Sequence, residues 1–408
     1  MMTTTGTVQQ VTAKHIVSPK GFKAAGMHCG VKHKKKDLAI IYSEVPASVA
    51  GVFTTNAIKA APVVLTKETV YASRTMQAIV LNSGNANACT GKQGLADAKE
   101  MQQLTAEKFG IPANTVGVCS TGVIGQHLPM APIREGIAAI ALGDTVENGV
   151  QFAEALLTTD TVMKNTAYTV EVDGKTVTIA GTSKGSGMIE PNMATMLGVI
   201  TTDAAIDSDT LQTLLAAVTN VTFNAITVDG DTSTNDTVLV LANGLAGNES
   251  LTPEHPDWAA FKEAFRLVSQ DLAKMIAKDG EGATKLIETT VLGAATNVEA
   301  IKIAKTVVGS PLVKTAVYGN DANWGRILAA VGYSGCTIDP TNVFIKIGDE
   351  AVVDAGEPLD FSEEYLLEYL KQPEIKIVVD LHVGEGQGKA WGCDLTYDYV
   401  QINATYRS

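Results

Sequence analysis

The chain has 408 residues, enough for two or three domains with sizeable cores. Hydrophobic residues make up 45% and charged residues 18%, which excludes a disordered chain or a coiled coil. The formal net charge of -13 argues against a nucleic-acid or anionic-membrane partner, since those are held by basic patches.

In chain order, Met1 to Gly6 lack the charged-then-apolar order of a signal peptide. Lys32, Lys34, Lys35 and Lys36 read as a solvated loop before a strand at 38–42. A buried strand at 76–81 runs into the loop Asn82-Ser83-Gly84-Asn85-Ala86-Asn87-Ala88. A helix over 95–109 follows, ended by Gly110 and Pro112. A strand at 116–119 leads into Ser120-Thr121-Gly122-Val123-Ile124-Gly125, and a helical stretch at 146–157 breaks at Thr158-Thr159-Asp160-Thr161. Alternating segments at 168–172 and 175–179 flank Asp173-Gly174, a hairpin signal.

The second half opens with an apolar strand at 196–200. Leu211, Leu214, Leu215 and Val218 then take helical spacing behind a Ser208 cap. Trp258, Phe261, Phe265, Val268, Leu272, Met275 and Ile276 form the core stripe of a longer helix. Two more hairpins are expected, 343–347 with 351–353 and 375–383 with 390–397. This mixture of helices and hairpins predicts α+β layers rather than a regular parallel series.

Conventional site chemistry is scarce. The 6 His form no metal-binding spacing, and the 5 Cys form no CxxC pair, so no metal site is expected and a reducing cytoplasm fits. No apolar run approaches the roughly 18 residues of a membrane span. Asp229-Gly230-Asp231-Thr232-Ser233-Thr234-Asn235-Asp236 begins like a calcium loop, but Thr234 stands where that loop needs Gly. Gly384 to Ala390 fails the spacing of a phosphate loop and reads as a hairpin turn.

The most unusual segment runs Ser183-Lys184-Gly185-Ser186-Gly187-Met188-Ile189-Glu190-Pro191-Asn192-Met193-Ala194-Thr195-Met196-Leu197-Gly198. One reading is a β-branched Thr that merely begins a strand. The other is a cut before Thr195, freeing an α-amine of pKa near ~8 that serves as base for its own hydroxyl.

Lys184 to Ile189, Pro191 and Ala194 to Leu197 resemble the self-cleavage site of the ornithine acetyltransferases of arginine biosynthesis, also called glutamate N-acetyltransferases. Further blocks resemble that family in the same order: 82–91, 119–125, 158–161, 228–236, Gly280-Glu281-Gly282-Ala283-Thr284-Lys285 and Asn320-Asp321-Ala322-Asn323-Trp324-Gly325-Arg326. Together they cover almost the whole chain.

The resemblance implies a layered αββα-type sandwich, the fold of self-cleaving acetyltransferases and aminopeptidases, with a smaller C-terminal α/β domain from about 280 to 408. It implies cleavage between Ala194 and Thr195 into fragments 1–194 and 195–408, two copies of each associating. Thr195 would be the nucleophile, with the Thr121 hydroxyl and the Gly122 N–H as oxyanion donors. Thr158, Lys184, Thr195, Glu281, Asn403 and Ser408 would bind substrate, Ser408 replacing the Thr common in the family. Spacing does not separate Thr158 from Thr159 and Thr161. The implied reaction moves acetyl from N2-acetyl-L-ornithine to L-glutamate without a cofactor, acetyl-CoA being a second donor for some members. An autocleaving aminopeptidase or amidase, and an uncleaved amino-acid-binding protein, are the alternatives.

Overall fold

The computed structural model describes residues 7–13, 15–190 and 196–405, so Ala194, Thr195 and Ser408 lie outside the described residues. Nine strands of the first 242 residues form one sheet. They are β1 (Gln9–Gln10), β2 (Phe22–Met27), β3 (Leu38–Phe53), β4 (Thr75–Asn85), β5 (Val116–Val123), β6 (Lys164–Val172), β7 (Lys175–Lys184), β8 (Leu197–Thr202) and β9 (Thr237–Ala242). Their order is β1-β6-β7-β8-β9-β3-β4-β5, with β2 also paired to β3.

The 16-residue strand β3 shapes the sheet. Its first part pairs with β2 and β4, its last part pairs with β9, and its register with β4 shifts between Tyr42 and Ala47. Alternating side chains then serve two cores. Leu197 and Val199 of β8, Leu239 and Leu241 of β9, Ala39 and Ile41 of β3, and Ile79 and Leu81 of β4 share one cluster. These inner faces pack on each other, so the sheet folds back as two β layers.

Helices pack around these layers. In chain order they are α1 (Ala61–Ser73), α2 (Gly91–Phe109), α3 (Met130–Ala139), α4 (Val146–Leu156), α5 (Ser208–Val221) and α6 (Trp258–Lys278). Phe152, Ala155 and Leu156 of α4 join the inner cluster. Met101 of α2 and Ile133 of α3 meet Ala78 and Val80 on one outside face. Leu211 and Leu215 of α5, with Phe261, Phe265 and Leu272 of α6, meet Ile200, Val238 and Val240 on the other. The result is the αββα sandwich. Each fully buried Leu or Phe contributes about 1.5–3 kcal/mol.

Local chemistry sets the connections. Val172 pairs with Lys175 across Asp173 and Gly174, whose φ values of 52 and 68 suit the tight hairpin turn. The parallel pairs β4–β5 and β8–β9 need crossovers, which α2 and α5 supply. Asp207, not Ser208, caps α5: its carboxylate accepts the N–H groups of Asp209 and Thr210. Ser208 is the first helical residue, and its hydroxyl donates to the Arg74 carbonyl.

The later chain builds a second sheet, with β10 (Leu286–Ala294), β11 (Phe344–Ile347), β12 (Glu350–Asp354), β13 (Glu357–Pro358), β14 (Glu374–Asp380) and β15 (Gly386–Cys393). Its order is β13-β12-β11-β14-β10-β15. The 343–353 hairpin forms as expected, but the third hairpin does not: β10 lies between β14 and β15, parallel to one and antiparallel to the other. Residues 384–390 are therefore not a hairpin turn. Sequence adjacency suggested direct pairing; β10 instead takes the place between them, with both of its edges hydrogen-bonded.

Helices α7 (Asn297–Gly309), α8 (Pro311–Tyr318), α9 (Trp324–Gly332) and α10 (Glu363–Tyr369) accompany this sheet, and α11 (Tyr397–Thr405) ends the described chain. Leu286, Trp391 and Cys393 join the core beneath α6, tying the two sheets together. Among the described residues, no helix is long and apolar enough to cross a membrane.

Candidate active site

Several strand ends converge at one edge of the sandwich. Lys184 ends β7 opposite Leu197, which begins β8; Leu197 pairs in turn with Thr237 at the start of β9. Thr121 and Gly122 lie near the end of β5. At φ +132, a Cβ on Gly122 would run into the Gly84 backbone, so the close crossing of β4 and β5 requires glycine here.

A cavity of about 190 Å3 opens at this edge, and its wall includes Thr121, Gly122, Thr158, Lys184, Glu281 and Asn403. Every described substrate or oxyanion residue named from the sequence thus meets the same space. Thr159 lines it as well, whereas Thr161 is committed elsewhere, its hydroxyl and N–H both donating to Asp279. Asn403 Nδ2 on α11 donates to Glu281 Oε2 at 2.8 Å, orienting that carboxylate.

Gly187 sits against Glu281 so closely that an added Cβ would overlap its carboxylate. Since that carboxylate is the far end of a flexible side chain, Gly187→Ala should displace it and leave the fold intact. On the expectation that Glu281 meets a substrate ammonium, the result should be an unchanged circular dichroism spectrum with affinity for a cationic substrate reduced about tenfold, the value of a charge-assisted hydrogen bond. Titration calorimetry with ornithine checks this.

Behind the cavity lies a buried ionic cluster. Lys164 has no exposed side-chain surface and contacts Asp160 Oδ1 at 2.7 Å and Asp279 Oδ2 at 2.6 Å. Asp160 also accepts the N–H of Gly185 at 2.6 Å and of Thr158 at 3.0 Å. Burial opposes ionisation of Asp160, but Lys164, Lys184 and these donors outweigh it and hold the carboxyl well below the usual carboxylate range. Ser186 Oγ donates to the Asp279 carbonyl, and Glu281 N–H donates to the Ser186 carbonyl at 2.9 Å. Through this cluster Thr158, Lys184 and Glu281 are fixed relative to one another.

One reading changes. Lys32 is no solvated side chain: its Nζ donates to the carbonyls of Leu157 and Lys36, and Lys36 pairs with Glu154. Burial brings the Lys32 ammonium down to about 8, against the pull of Asp37 and with repulsion from Lys35 and Lys184. The polar loop beginning at Asp229 is hydrogen-bonded, as the segment's composition suggests, and also forms a cavity wall. Asp229 accepts the N–H groups of Met188 and Ile189 at 2.7 and 2.8 Å, and Tyr399 OH approaches it at 3.3 Å. Sequence reasoning assigned Asp229, Tyr399 and Asn235 no site role; the unbroken polar run 229–236 was the available signal.

The described residues lining the cavity include a lysine and three carboxylates but neither imidazole nor thiol. Fold and site together define an α+β enzyme for a small charged substrate. The sequence pattern of the ArgJ family matches residues 23–408. The chain is 57% identical over 410 residues to the arginine biosynthesis bifunctional protein ArgJ of Geobacillus kaustophilus, covering 100% of both chains. Its counterpart in Halalkalibacterium halodurans is 57% identical over 405 residues, covering 99% of this chain and 98% of that one. A crystal structure of the Bacillus halodurans protein of the same name matches with 62% identity and a TM-score of 0.50, covering 50% of this chain and 97% of that one. The chain belongs to the ArgJ family of arginine-biosynthesis enzymes.

Proposed function

We propose that this protein cuts itself between Ala194 and Thr195 and then transfers acetyl from N2-acetyl-L-ornithine to L-glutamate through an acetyl-Thr195 ester. The observation that carries this reading is the assembly of Thr121, Gly122, Thr158, Lys184, Glu281 and Asn403, scattered over nearly 300 residues, around one cavity. Full-length similarity to proteins called arginine biosynthesis bifunctional proteins supports it. So does the Bacillus halodurans crystal chain, which matches half of this one, as a cleaved fragment would.

In the proposed reaction, Thr195 Oγ attacks the acetyl carbonyl while its own α-amine takes the hydroxyl proton. Lys184 meets the substrate α-carboxylate, and Glu281, held by Asn403, meets the ornithine side-chain ammonium. The Thr121 hydroxyl and Gly122 N–H receive the oxyanion. Ornithine leaves, and the amine of glutamate takes the acetyl group. Ser408 contributes a hydroxyl to the same substrate.

No cofactor enters this scheme. Acetyl-CoA is proposed as a second donor, in keeping with the word bifunctional in the relatives' names. Two copies of each fragment would form the working assembly in the cytoplasm. Its halves would be held without disulfides, since β8 lies hydrogen-bonded between β7 and β9.

Thr121→Val should lower kcat about 10²–10³-fold with little change in KM, as expected for one lost oxyanion donor. Steady-state transfer assays check this. The reading itself is tested by following acetylglutamate and acetate from acetylornithine with and without glutamate. Transfer requires acetylglutamate and dependence on glutamate; acetate release independent of glutamate would mean an amidase.

A further inference from the structure

Asp236 immediately precedes β9, beside Met196, which precedes β8. Thr237 N–H donates to the Met196 carbonyl at 2.9 Å, locking the two chain segments together. Asp236 is only 2% exposed, and among the described residues its Oδ2 has no hydrogen-bond partner. It lines a recess of about 20 Å3 with Thr121, Lys184, Met196 and Ser233, next to the main cavity. An unpartnered buried carboxyl oxygen is costly unless a further group uses it.

The chain itself brings such a group near. The backbone N–H of Met196 faces the Asp236 carboxyl. The Thr195 nitrogen is three covalent bonds from the Met196 nitrogen. Burial pushes the Asp236 carboxyl well above its usual range; Ser233, Lys184 and the Met196 N–H pull the other way without cancelling it. Burial of this kind favours the protonated carboxyl, the form that can donate a proton.

We propose that Asp236 is the catalytic acid of self-cleavage, delivering its proton to the Thr195 amide nitrogen as that nitrogen departs from the Ala194 carbonyl. The inference rests on the self-cleavage reading above. Thr195 Oγ bonds to the Ala194 carbonyl carbon, and the carbon–nitrogen bond breaks. The nitrogen receives the Asp236 proton, and Asp236 takes up the Thr195 hydroxyl proton, so the carboxyl ends neutral. One water then splits the ester: its oxygen joins Ala194 and a hydrogen returns to Thr195 Oγ. The recess is large enough for that water.

The test times cleavage of the full chain after pulse labelling in cell-free translation, counting only soluble, protease-resistant material. The wild type should be cut; if it is not, the self-cleavage reading itself fails. Asp236→Asn keeps the shape but has no transferable proton, and should be cut about 10²–10⁴-fold more slowly, the usual worth of an acid–base group. Asp236→Glu keeps the acid and should be at least tenfold faster than the Asn chain. Hydroxylamine, which splits esters, should not restore cutting of the Asn chain, because the block precedes the ester.

Cutting of the Asn chain within threefold of wild type would overturn the proposal and leave self-cleavage standing. So would rescue by hydroxylamine, or a Glu chain no faster than the Asn chain. Should the Asn chain not be recovered soluble, the Glu chain decides: measurable cutting supports the proposal, and a soluble, uncut chain overturns it.

Discussion

Thr195→Ala is expected to run as one band of 408 residues on a denaturing gel, where the wild type should give fragments 1–194 and 195–408 if the proposed self-cleavage holds. Acetylglutamate formation from acetylornithine should fall to background in the same preparation. In the proposed mechanism both losses have one cause: the hydroxyl that would cut the chain would also carry the acetyl group, and the cut would free the amine that activates it. Thr195→Ser separates them in degree: it keeps the nucleophile without the methyl group and should retain some cleavage and turnover. Full transfer activity in the Ala variant would remove the basis of the mechanism.

The second large effect is on stability. Lys164→Met keeps the buried stem but leaves Asp160 and Asp279 without the ammonium between them. Breaking a buried ion pair by removing one partner costs about 3–5 kcal/mol, most of it from the charge left uncompensated. Urea unfolding at pH 7 should show that loss. The sign of its pH dependence follows from Asp160, whose carboxyl is held below its usual range in the folded protein. Its contribution is fully present above the unfolded value of about 3.9 and is lost as pH falls toward the depressed folded value. The gap between wild type and Lys164→Met should therefore be widest near neutral pH and narrow below about pH 4. Because Asp160 holds Thr158 and Gly185, the variant should also raise KM more than it lowers kcat.

Local patterns made most elements legible. The Asp173-Gly174 turn announced the β6–β7 hairpin because only a few residue types take two left-handed conformations in succession. The stripe from Trp258 to Ile276 announced α6 because helical periodicity marks the buried side. Apolar alternation could not disclose partners at long range. Ile375 and its neighbours look equally suited to pair with the next strand, yet β10, some 80 residues upstream, takes that edge.

The site divided in the same way. Family resemblance named Thr121, Gly122, Lys184 and Glu281 one by one, but not their contacts. Lys164 and Asp160 are four residues apart, a spacing that by itself marks no site; burial and the arrival of Asp279 from the far end of α6 make them a core cluster. Asp236 read as one more polar residue in a loop, and became a buried acid only when β8 and β9 closed over it.

What the sequence by itself determined is the inventory: few His and Cys, abundant Gly, and a threonine set behind a glycine-rich turn. That scarcity of imidazole and thiol turns attention to hydroxyl, amine and carboxyl groups. Tertiary structure alone decided the charges that matter, because a carboxyl's protonation depends on how much water surrounds it and which cations face it. Those conditions arise when β5, β7, β8 and β9 bring their ends to one edge.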